Sequence, residues 1–293
     1  MGVLMEETMQ LQQKTQHPRF NRARIMRKSL RSLRMLAIFL VLCFFLLPFY
    51  IMISNALKPN IHINAYPPVF VFRPTLEHFV SIFERHPFGQ YFMNSLTISG
   101  SATAIGFIVG IPAAYAIARF RLRQITSIVL ICRMFPFISV LLPWFIMTQR
   151  AGLLDSYLPV ILSHLVFTIP YATMIMIGFF EDIPADLEEA AWIDGCSRMG
   201  TFVKIILPLT IPGMVAASII AFSYSWNNFL FALILTASRV KTLPVAAYSF
   251  LEGDYVEWGG LSAAATLITL PIILFALIVQ RYLVRGLTTG GVK

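Results

Sequence analysis

Four polar side chains interrupt long apolar runs and are the first candidates for chemistry: Arg133, Tyr224, Asn227 and Asn228. An arginine in the middle of an apolar span costs about 2.5–3.5 kcal/mol on insertion scales unless it is paired or faces water. Arg133 could bind hydroxyl or anionic groups, or it could pair with backbone carbonyls or with another chain. Positions 224, 227 and 228 share one helical face. With Trp226 beside them they suit hydrogen bonding and ring stacking, or polar contact between helices.

Motifs of catalysis and of metal binding are missing from the sequence. Without a Gly-Lys dipeptide there is no phosphate-binding loop for ATP hydrolysis, and neither His-Glu-x-x-His nor G-x-S-x-G occurs. The three cysteines form no C-x-x-C pair, which argues against a zinc site or a disulfide framework. His164 alone among the histidines lies in an apolar run, where a hydrogen-bonded packing role is expected. We predict a chain that is not an enzyme and has no metal or cofactor of its own.

Composition places most of this chain in lipid. Hydrophobic residues make up 57% and charged residues 13%, with a mean hydropathy of +0.74. Soluble domains carry about 25% charged residues. Six runs without Asp or Glu are long enough to span a bilayer as helices, at residues 35–57, 88–118, 124–149, 156–180, 205–238 and 258–280. The sequence therefore predicts an all-α membrane protein with six transmembrane helices, the first of them uncleaved.

The net charge of +9 reflects membrane topology rather than nucleic-acid binding, because the cations lie at the ends of the apolar runs. Most Lys and Arg fall in 1–34, 119–123, 198–204 and 281–293. The positive-inside rule then puts both termini in the cytoplasm. We expect a basic cytoplasmic segment at 1–34, a transmembrane domain at 35–283 containing a cytoplasmic loop at 181–210, and a cytoplasmic tail at 284–293.

The loop at 181–210 has the signals of two short helices. Asp182 can cap the first, Pro184 suits its first turn, and Gly195 can adopt the left-handed conformation that ends it. Ser197 can cap a second helix that ends near Pro208. Apolar side chains at helical spacing suit either a membrane surface or a partner protein, and the physical pattern leaves both open.

Three strings in this loop, Glu189-Ala190-Ala191, Asp194-Gly195 and Ile206-Leu207-Pro208, resemble the EAA loop of permease subunits in bacterial binding-protein-dependent ABC importers. Weaker collinear matches cover about residues 35–293 and are similar to the smaller permease of maltose-type importers, in the carbohydrate branch. Two positions depart from the pattern: Cys196 stands where alanine is usual, and Asn228 where an acidic residue is common.

The resemblance implies the architecture of a type I ABC importer permease with a cytoplasmic coupling helix. The residues that it places in the ATPase-coupling loop are Glu189, Ala190, Ala191, Asp194, Gly195, Phe202, Leu207 and Pro208. Arg133, Tyr224, Asn227 and Asn228 become candidates for the pathway of a sugar or related polyol. The implied partners are a second permease that forms a heterodimer with this chain, two ATP-binding subunits that hold ATP and Mg²⁺, and an extracytoplasmic solute-binding protein. The implied location is the bacterial cytoplasmic (inner) membrane.

Two other functions compete with this one. An ion-coupled secondary transporter needs membrane-embedded carboxylates or paired broken helices, yet no Asp or Glu lies inside the six runs. A non-transporting membrane scaffold explains the apolar runs but not the glycine-jointed loop.

Overall fold

The computed structural model is helical, and the residues that it describes contain no β-strand, so the all-α prediction is confirmed. It describes residues 19–134, 136–251 and 256–289, with side chains for 30–134, 136–251, 256–278 and 280. The predicted segments 1–34 and 284–293 thus lie partly outside the described residues. In chain order the helices are α1 (Arg19–Leu57), α2 (Asn60–Ile63), α3 (Glu77–Arg85), α4 (Phe88–Phe120), α5 (Arg123–Met134), α6 (Ile138–Arg150), α7 (Tyr157–Glu181), α8 (Asp186–Ile193), α9 (Arg198–Thr201), α10 (Leu207–Leu209), α11 (Ile211–Trp226), α12 (Leu230–Leu235), α13 (Leu243–Tyr248) and α14 (Trp258–Thr289). A π-helix, Phe202–Ile206, joins α9 to α10, and a 3₁₀ turn, Ser249–Leu251, follows α13.

Residues 1–54 form a unit of their own, separate from residues 55–293. The described part of this first unit belongs to α1. Its side chains from Leu30 to Ser54 are exposed or half-buried, and Phe44 keeps 73% of its surface. Only a helix satisfies its own backbone hydrogen bonds in lipid, so an exposed apolar helix of this length suits a membrane span.

Several helices are long and apolar enough to be membrane spans. Among the described residues, four helical segments are long and apolar enough to cross a bilayer: Leu30–Leu57, Phe88–Phe120, Tyr157–Glu181 and Trp258–Ile278. The third and fifth predicted runs are bent instead of straight. Helices α5 and α6 meet at 85°, and Arg198–Leu209 meets α11 at 74°. The predicted total of six spans is reached only if each bent pair of helices crosses the membrane as one span.

Both bends lie beside a proline. Pro136 stands between α5 and α6, and Pro212 is in the first turn of α11. Proline lacks a backbone N–H and restricts the residue before it, so it interrupts a helix that composition alone would continue. The fifth run also ends its long helix at Trp226 rather than near 238.

Helices α4 and α7 pack along a stripe of small residues on α4, at Ala102, Gly106, Gly110 and Ala114. A Cβ added at Gly106 would lie 2.7 Å from the Thr168 hydroxyl oxygen. That hydroxyl donates a hydrogen bond to the Ala102 carbonyl at 3.0 Å. Small residues let two helix backbones approach closely, and the hydroxyl then finds a partner across the contact.

The apolar core of residues 55–293 has three clusters. One contains Trp226 and joins α3, α4, α11, α13 and α14. Another contains Phe180 and joins α4, α7, the π-helix and α11. The remaining cluster contains Phe167 and joins α4, α7, α12 and Val240. Helix α4 contributes to each cluster, so its position fixes the others.

Polar contacts close the bundle where α4 and α7 begin. The Tyr157 hydroxyl donates to Asn94 Oδ1 at 2.6 Å. The Asn94 amide donates to the carbonyls of Arg239 and Lys241 at 3.1 and 2.9 Å. The connection between α12 and α13 is thereby held against the start of α4.

Asp155 holds the same connection from the other side. Its carboxylate accepts backbone N–H bonds from residues 237–240, at 2.9–3.3 Å. Partial burial raises the pKa of Asp155, but these four donors outweigh burial and hold the pKa below its ordinary 3.8. The ionised carboxylate is therefore part of the folded structure.

Gly106→Ala should destabilise the protein, since its new Cβ must displace Thr168. Overpacking of this kind costs about 1–3 kcal/mol. Gly100→Ala on the same helix is the matched control, because nothing lies within 4 Å of its added Cβ. Alanine is favoured over glycine in a helix by about 0.5–1 kcal/mol, so the control should be neutral or stabilising. Thermal unfolding in detergent measures both variants, and equal melting temperatures would contradict the close packing.

Asp155→Asn should loosen the segment 237–240, because an amide accepts with one oxygen where the carboxylate uses two. Since the folded pKa is lowered, the stabilisation is complete above about pH 4 and is lost as pH falls through the folded pKa. Hydrogen exchange of the 237–240 amides, corrected for intrinsic rates, should show faster exchange in the variant at pH 7. Asp182→Asn, at an exposed carboxylate, is the control, and unchanged protection at 237–240 in Asp155→Asn would refute the contact's role.

Candidate functional site

The coupling loop, defined as residues 182–210, begins later than predicted. Helix α7 runs through Glu181, and Asp182 is its C-cap. Helix α8 starts at Asp186 with Ala185 at its N-cap, so the capping role expected for Asp182 is wrong. Pro184 lies in the intervening turn rather than in the first turn of the helix. The reason is that the preceding span continues for one residue beyond its apolar run, which shifts the turn along the chain.

Both predicted joints of the coupling loop are confirmed. Gly195 has φ +87°, the left-handed conformation. Its N–H donates to the Trp192 carbonyl at 3.0 Å, and the Cys196 N–H donates to the Ala191 carbonyl at 2.9 Å, which together form a Schellman helix end. The Ser197 hydroxyl caps α9 by accepting from the Gly200 N–H at 3.1 Å. The loop is therefore a defined two-helix unit.

Helix α8 has two unlike faces. Glu188 and Ala191 are buried within the chain at 3% and 5% exposure. Glu189 and Ala190 are exposed, and Ile193 keeps 87% of its surface. Adjacent helical residues differ by about 100° in direction, so neighbouring carboxylates can point to different sides of the helix. The exposed face is the one available to another protein.

The remaining coupling-loop candidates also differ in their exposure. Asp194 and Pro208 are exposed, and Leu207 is half-buried. Phe202 is buried, with its ring centroid 4.6 Å from that of Tyr115. A role in close approach to a partner is wrong for Ala191, because its Cβ is covered by this chain. Phe202 instead packs the loop against α4 and α7.

A partly buried polar cluster holds the loop to α4. Glu188 accepts hydrogen bonds from the Tyr115 hydroxyl at 2.6 Å and from Arg119 Nε. Arg119 Nη1 also donates to the Ile183 carbonyl at 3.0 Å. The side chains of Arg119 and Glu188 are 16% and 4% exposed. The sequence does not predict this cluster, because the arginines at 119–123 are assigned to membrane topology. A second carboxylate beside Glu189 is a signal of it.

A second candidate site is an open cavity of about 710 Å³, here named the aromatic cleft. It lies between α6, α7, α11 and α12, and its lining includes Phe137, Phe167, Phe231, Ser223, Tyr224, Asn227 and Asn228. Small-molecule pockets commonly measure 300–1,000 Å³ and combine apolar walls with a few polar groups. Three of the four predicted pathway residues are thus brought together.

The prediction that these three residues share one helical face is wrong. Helix α11 ends at Trp226, so positions 224, 227 and 228 do not share a continuous helical face. The Asn227 amide donates to the Ser223 carbonyl at 2.9 Å, and Asn228 Oδ1 accepts from the Phe231 N–H at 3.3 Å. Asparagine readily makes such local bonds at helix ends. The break between α11 and α12 therefore directs both side chains to the cleft.

Trp226 and His164 are packing residues. The Trp226 indole is 1% exposed and donates to the Ile268 carbonyl at 3.0 Å, so the expected stacking of a ligand on this ring is wrong. His164 is buried, with Nδ1 2.7 Å from the Ser225 hydroxyl, as expected for a hydrogen-bonded packing residue.

Arg133 lies at the edge of this region rather than deep in a straight span. It is exposed in the last turn of α5, and its guanidinium carbon is 4.2 Å from the centroid of the Tyr171 ring. The Tyr171 and Tyr224 rings are 4.8 Å apart. Arg133 does not line the aromatic cleft, but this stack connects it to Tyr224. Tyr171 was not anticipated from the sequence.

With this geometry in place, comparison with known families identifies the class of protein. Residues 106–289 match the family described as the inner membrane component of binding-protein-dependent transport systems. The chain belongs to this family of membrane transport components. The sequence resemblance to permeases of carbohydrate ABC importers is confirmed at that level, and the family gives no support to an ion-coupled transporter or a scaffold.

Named relatives extend over nearly the full chain. A probable ABC transporter permease of Sinorhizobium fredii is 39% identical over 251 residues, covering 85% of this chain and 91% of that protein. The trehalose transport system permease SugB of Mycobacterium tuberculosis is 38% identical, covering 87% and 94%. The sulfoquinovosyl glycerol transport system permease SmoH of Agrobacterium fabrum is 34% identical, covering 90% and 94%.

Solved structures share the fold. A bacterial ABC transporter that imports the acidic polysaccharide alginate matches with a TM-score of 0.68 and 21% identity, over 91% of this chain and 98% of the other. The MetNI methionine ABC transporter matches with a TM-score of 0.55 and 21% identity, over 65% of this chain and 92% of the other. These likenesses show that the chain shares the fold of the matched transporter chains.

Proposed function

We propose that this chain is the permease subunit of an ATP-driven importer that moves a sugar or related polyol across the cytoplasmic membrane. The observation that carries the proposal is the coupling loop, which is locked to the chain on one face and exposed on the other. Relatives named for trehalose and for sulfoquinovosyl glycerol support a carbohydrate substrate.

Energy comes from separate subunits in this proposal. The sequence has no phosphate-binding loop, so two ATP-binding chains hold ATP and Mg²⁺. They bind the exposed face formed by Glu189, Ala190 and Ile193. ATP binding then shifts the permease between access states through contacts that differ between those states. The matched alginate and MetNI structures are of ABC transporters, the alginate transporter in complex with a periplasmic protein, which supports such an assembly.

The remaining partners follow from the same proposal. A second permease, different from this chain, completes the transmembrane pathway, and a solute-binding protein delivers substrate from outside. Both termini and the coupling loop are cytoplasmic, as the distribution of Lys and Arg indicates.

Substrate passes beside the aromatic cleft. Tyr224, Asn227 and Asn228 offer hydroxyl and amide groups among aromatic rings, which suits the hydroxyls and the apolar ring faces of a sugar. Arg133 favours a second candidate, an anionic sugar, because its exposed guanidinium can pair with a carboxylate, sulfonate or phosphate.

The reconstituted complex tests the coupling proposal. In the wild type, substrate-loaded binding protein should stimulate ATP hydrolysis. Glu189→Lys reverses a charge on the exposed face of α8 that binds the ATP-binding subunit in this proposal. Gly195→Pro cannot adopt φ +87°. Both assembled variants should therefore lose the stimulation.

Asp182→Lys is the control, because it makes the same charge change in the coupling loop outside α8. It should keep the stimulation. Failure of any ATPase subunit to associate with the wild-type chain, or sugar transport by the chain alone without ATP, would overturn the proposal.

Tyr224→Phe should weaken the apparent affinity for the transported sugar and leave the fold intact, since the ring keeps its stacking on Tyr171. Loss of one hydrogen bond worth about 0.5–1.5 kcal/mol raises the half-saturating concentration roughly 2- to 10-fold. Uptake assays over a panel of neutral, carboxylated and sulfonated sugars measure the effect. Unchanged half-saturation would remove Tyr224 from the pathway.

Arg133→Gln in the same uptake assays decides the substrate charge. A neutral sugar should show less than about a twofold change. A rise of roughly tenfold or more, the scale of a hydrogen bond to a charged group, would favour the anionic candidate instead.

A further inference from the structure

We infer that the coupling latch, defined as Arg119, Glu188 and Tyr115, transmits movement of the coupling loop to the membrane helices. The inference rests on the proposed function. It adds positioning residues that act between the exposed face of α8, where the ATP-binding subunit binds, and the substrate pathway. None of the three is among the residues that the family resemblance places in the ATPase-coupling loop.

The latch connects α4 to the loop at two separate points. Arg119 Nε donates to the Glu188 side chain on α8, and Nη1 donates to the Ile183 carbonyl in the turn that enters the loop. The Tyr115 hydroxyl, one helical turn earlier on α4, donates to the other Glu188 oxygen. A single guanidinium thus fixes both the position and the direction of α8 relative to α4.

Burial makes this connection stiff. Glu188 is 3% exposed, whereas Asp182, Asp186 and Glu189 of the same loop are exposed. A buried charge that loses its partner is strongly unfavourable, so the two charged groups must move together. Apolar packing would hold the loop without fixing its direction, while charge-assisted hydrogen bonds fix both.

The latch also lies on the route from the loop to the aromatic cleft. Its α4 residues follow Gly106 and Gly110, where α4 packs against α7. Helix α7 carries Phe167, which lines the cleft. A push on the exposed face of α8 therefore reaches the cleft through the latch and two closely packed helices.

The test measures whether nucleotide changes access to the cleft. Ser223, a cleft residue, is replaced by cysteine after Cys43, Cys132 and Cys196 are changed to serine. The reconstituted complex is treated with a membrane-impermeant thiol reagent with and without ATP and vanadate. The readouts are the ratio of the two labelling rates and the rate of ATP hydrolysis, so no substrate need be known.

Glu188→Gln should leave an assembled complex that hydrolyses ATP while its labelling ratio falls towards unity. Tyr115→Phe removes one hydrogen bond and keeps the ring that packs on Phe180 and Phe202, so its ratio should be intermediate. Arg119→Gln/Glu188→Gln removes both charges and leaves neither unpaired. It should assemble and still give a low ratio, because the directional link is missing. Asp182→Asn is the control and should keep the wild-type ratio.

Three results would overturn the latch. First, Tyr115→Phe and at least one of the variants Glu188→Gln and Arg119→Gln/Glu188→Gln could each keep the wild-type labelling ratio, which would show that the contacts transmit no movement. Second, a ratio restored only in Arg119→Gln/Glu188→Gln shows that charge balance in the fold is their whole role. Third, an assembled Tyr115→Phe complex that no longer hydrolyses ATP would show that the cluster belongs to the contact with the ATP-binding subunit. If Glu188→Gln does not assemble, Tyr115→Phe and the double variant decide alone. A wild-type complex without any nucleotide response contradicts the proposed function itself, which separates the two failures.

Discussion

The close approach of α4 and α7 is the contact on which residues 55–293 depend. In lipid there is little hydrophobic gain from joining two helices, so association relies on small residues, close packing and hydrogen bonds across the contact. Gly106 supplies the space, and Thr168 supplies the bond. Each end of this helix pair then carries a polar network, with Asn94 and Tyr157 at the beginning and the coupling latch at the other end. The networks can be this specific because the two backbones between them cannot drift apart.

The role proposed for the coupling loop requires two unlike faces, and two adjacent carboxylates provide them. A loop that relays force must be fixed to its own chain and also offer a surface to another one. Glu188 and Glu189 do this because one residue of helix turns the side chain by about 100°. Glu188 loses its water and gains Arg119 and Tyr115, while Glu189 remains hydrated at the surface. Gly195 then ends the helix without strain, since φ +87° is accessible to glycine.

Local chemistry was predictable from the sequence, and the choice of distant partners was not. The helix end at Gly195 and the cap at Ser197 follow from residue type and position, and both are confirmed. The apolar runs identify the spans, but composition does not show that a run with a proline inside it bends by 85°. The bonds of Asp155 to residues 237–240 and of Arg119 to Glu188 join segments about 70 or more residues apart. Many arginines could have paired with Glu188, so the partner emerges only when α4 and α7 are placed side by side.

Helix α7 ties the two candidate sites together. Phe167 lines the aromatic cleft and Tyr171 stacks on Tyr224, while Phe180 packs against Tyr115 of the coupling latch. At 1.5 Å per residue, Phe167 and Phe180 are separated by about 20 Å along one helix. Between these two residues, α7 packs against Gly106 and Gly110 of α4. Closely packed interiors shift between discrete arrangements rather than deform continuously. In the proposed mechanism, a displacement at the latch therefore moves the aromatic side chains that line the cleft.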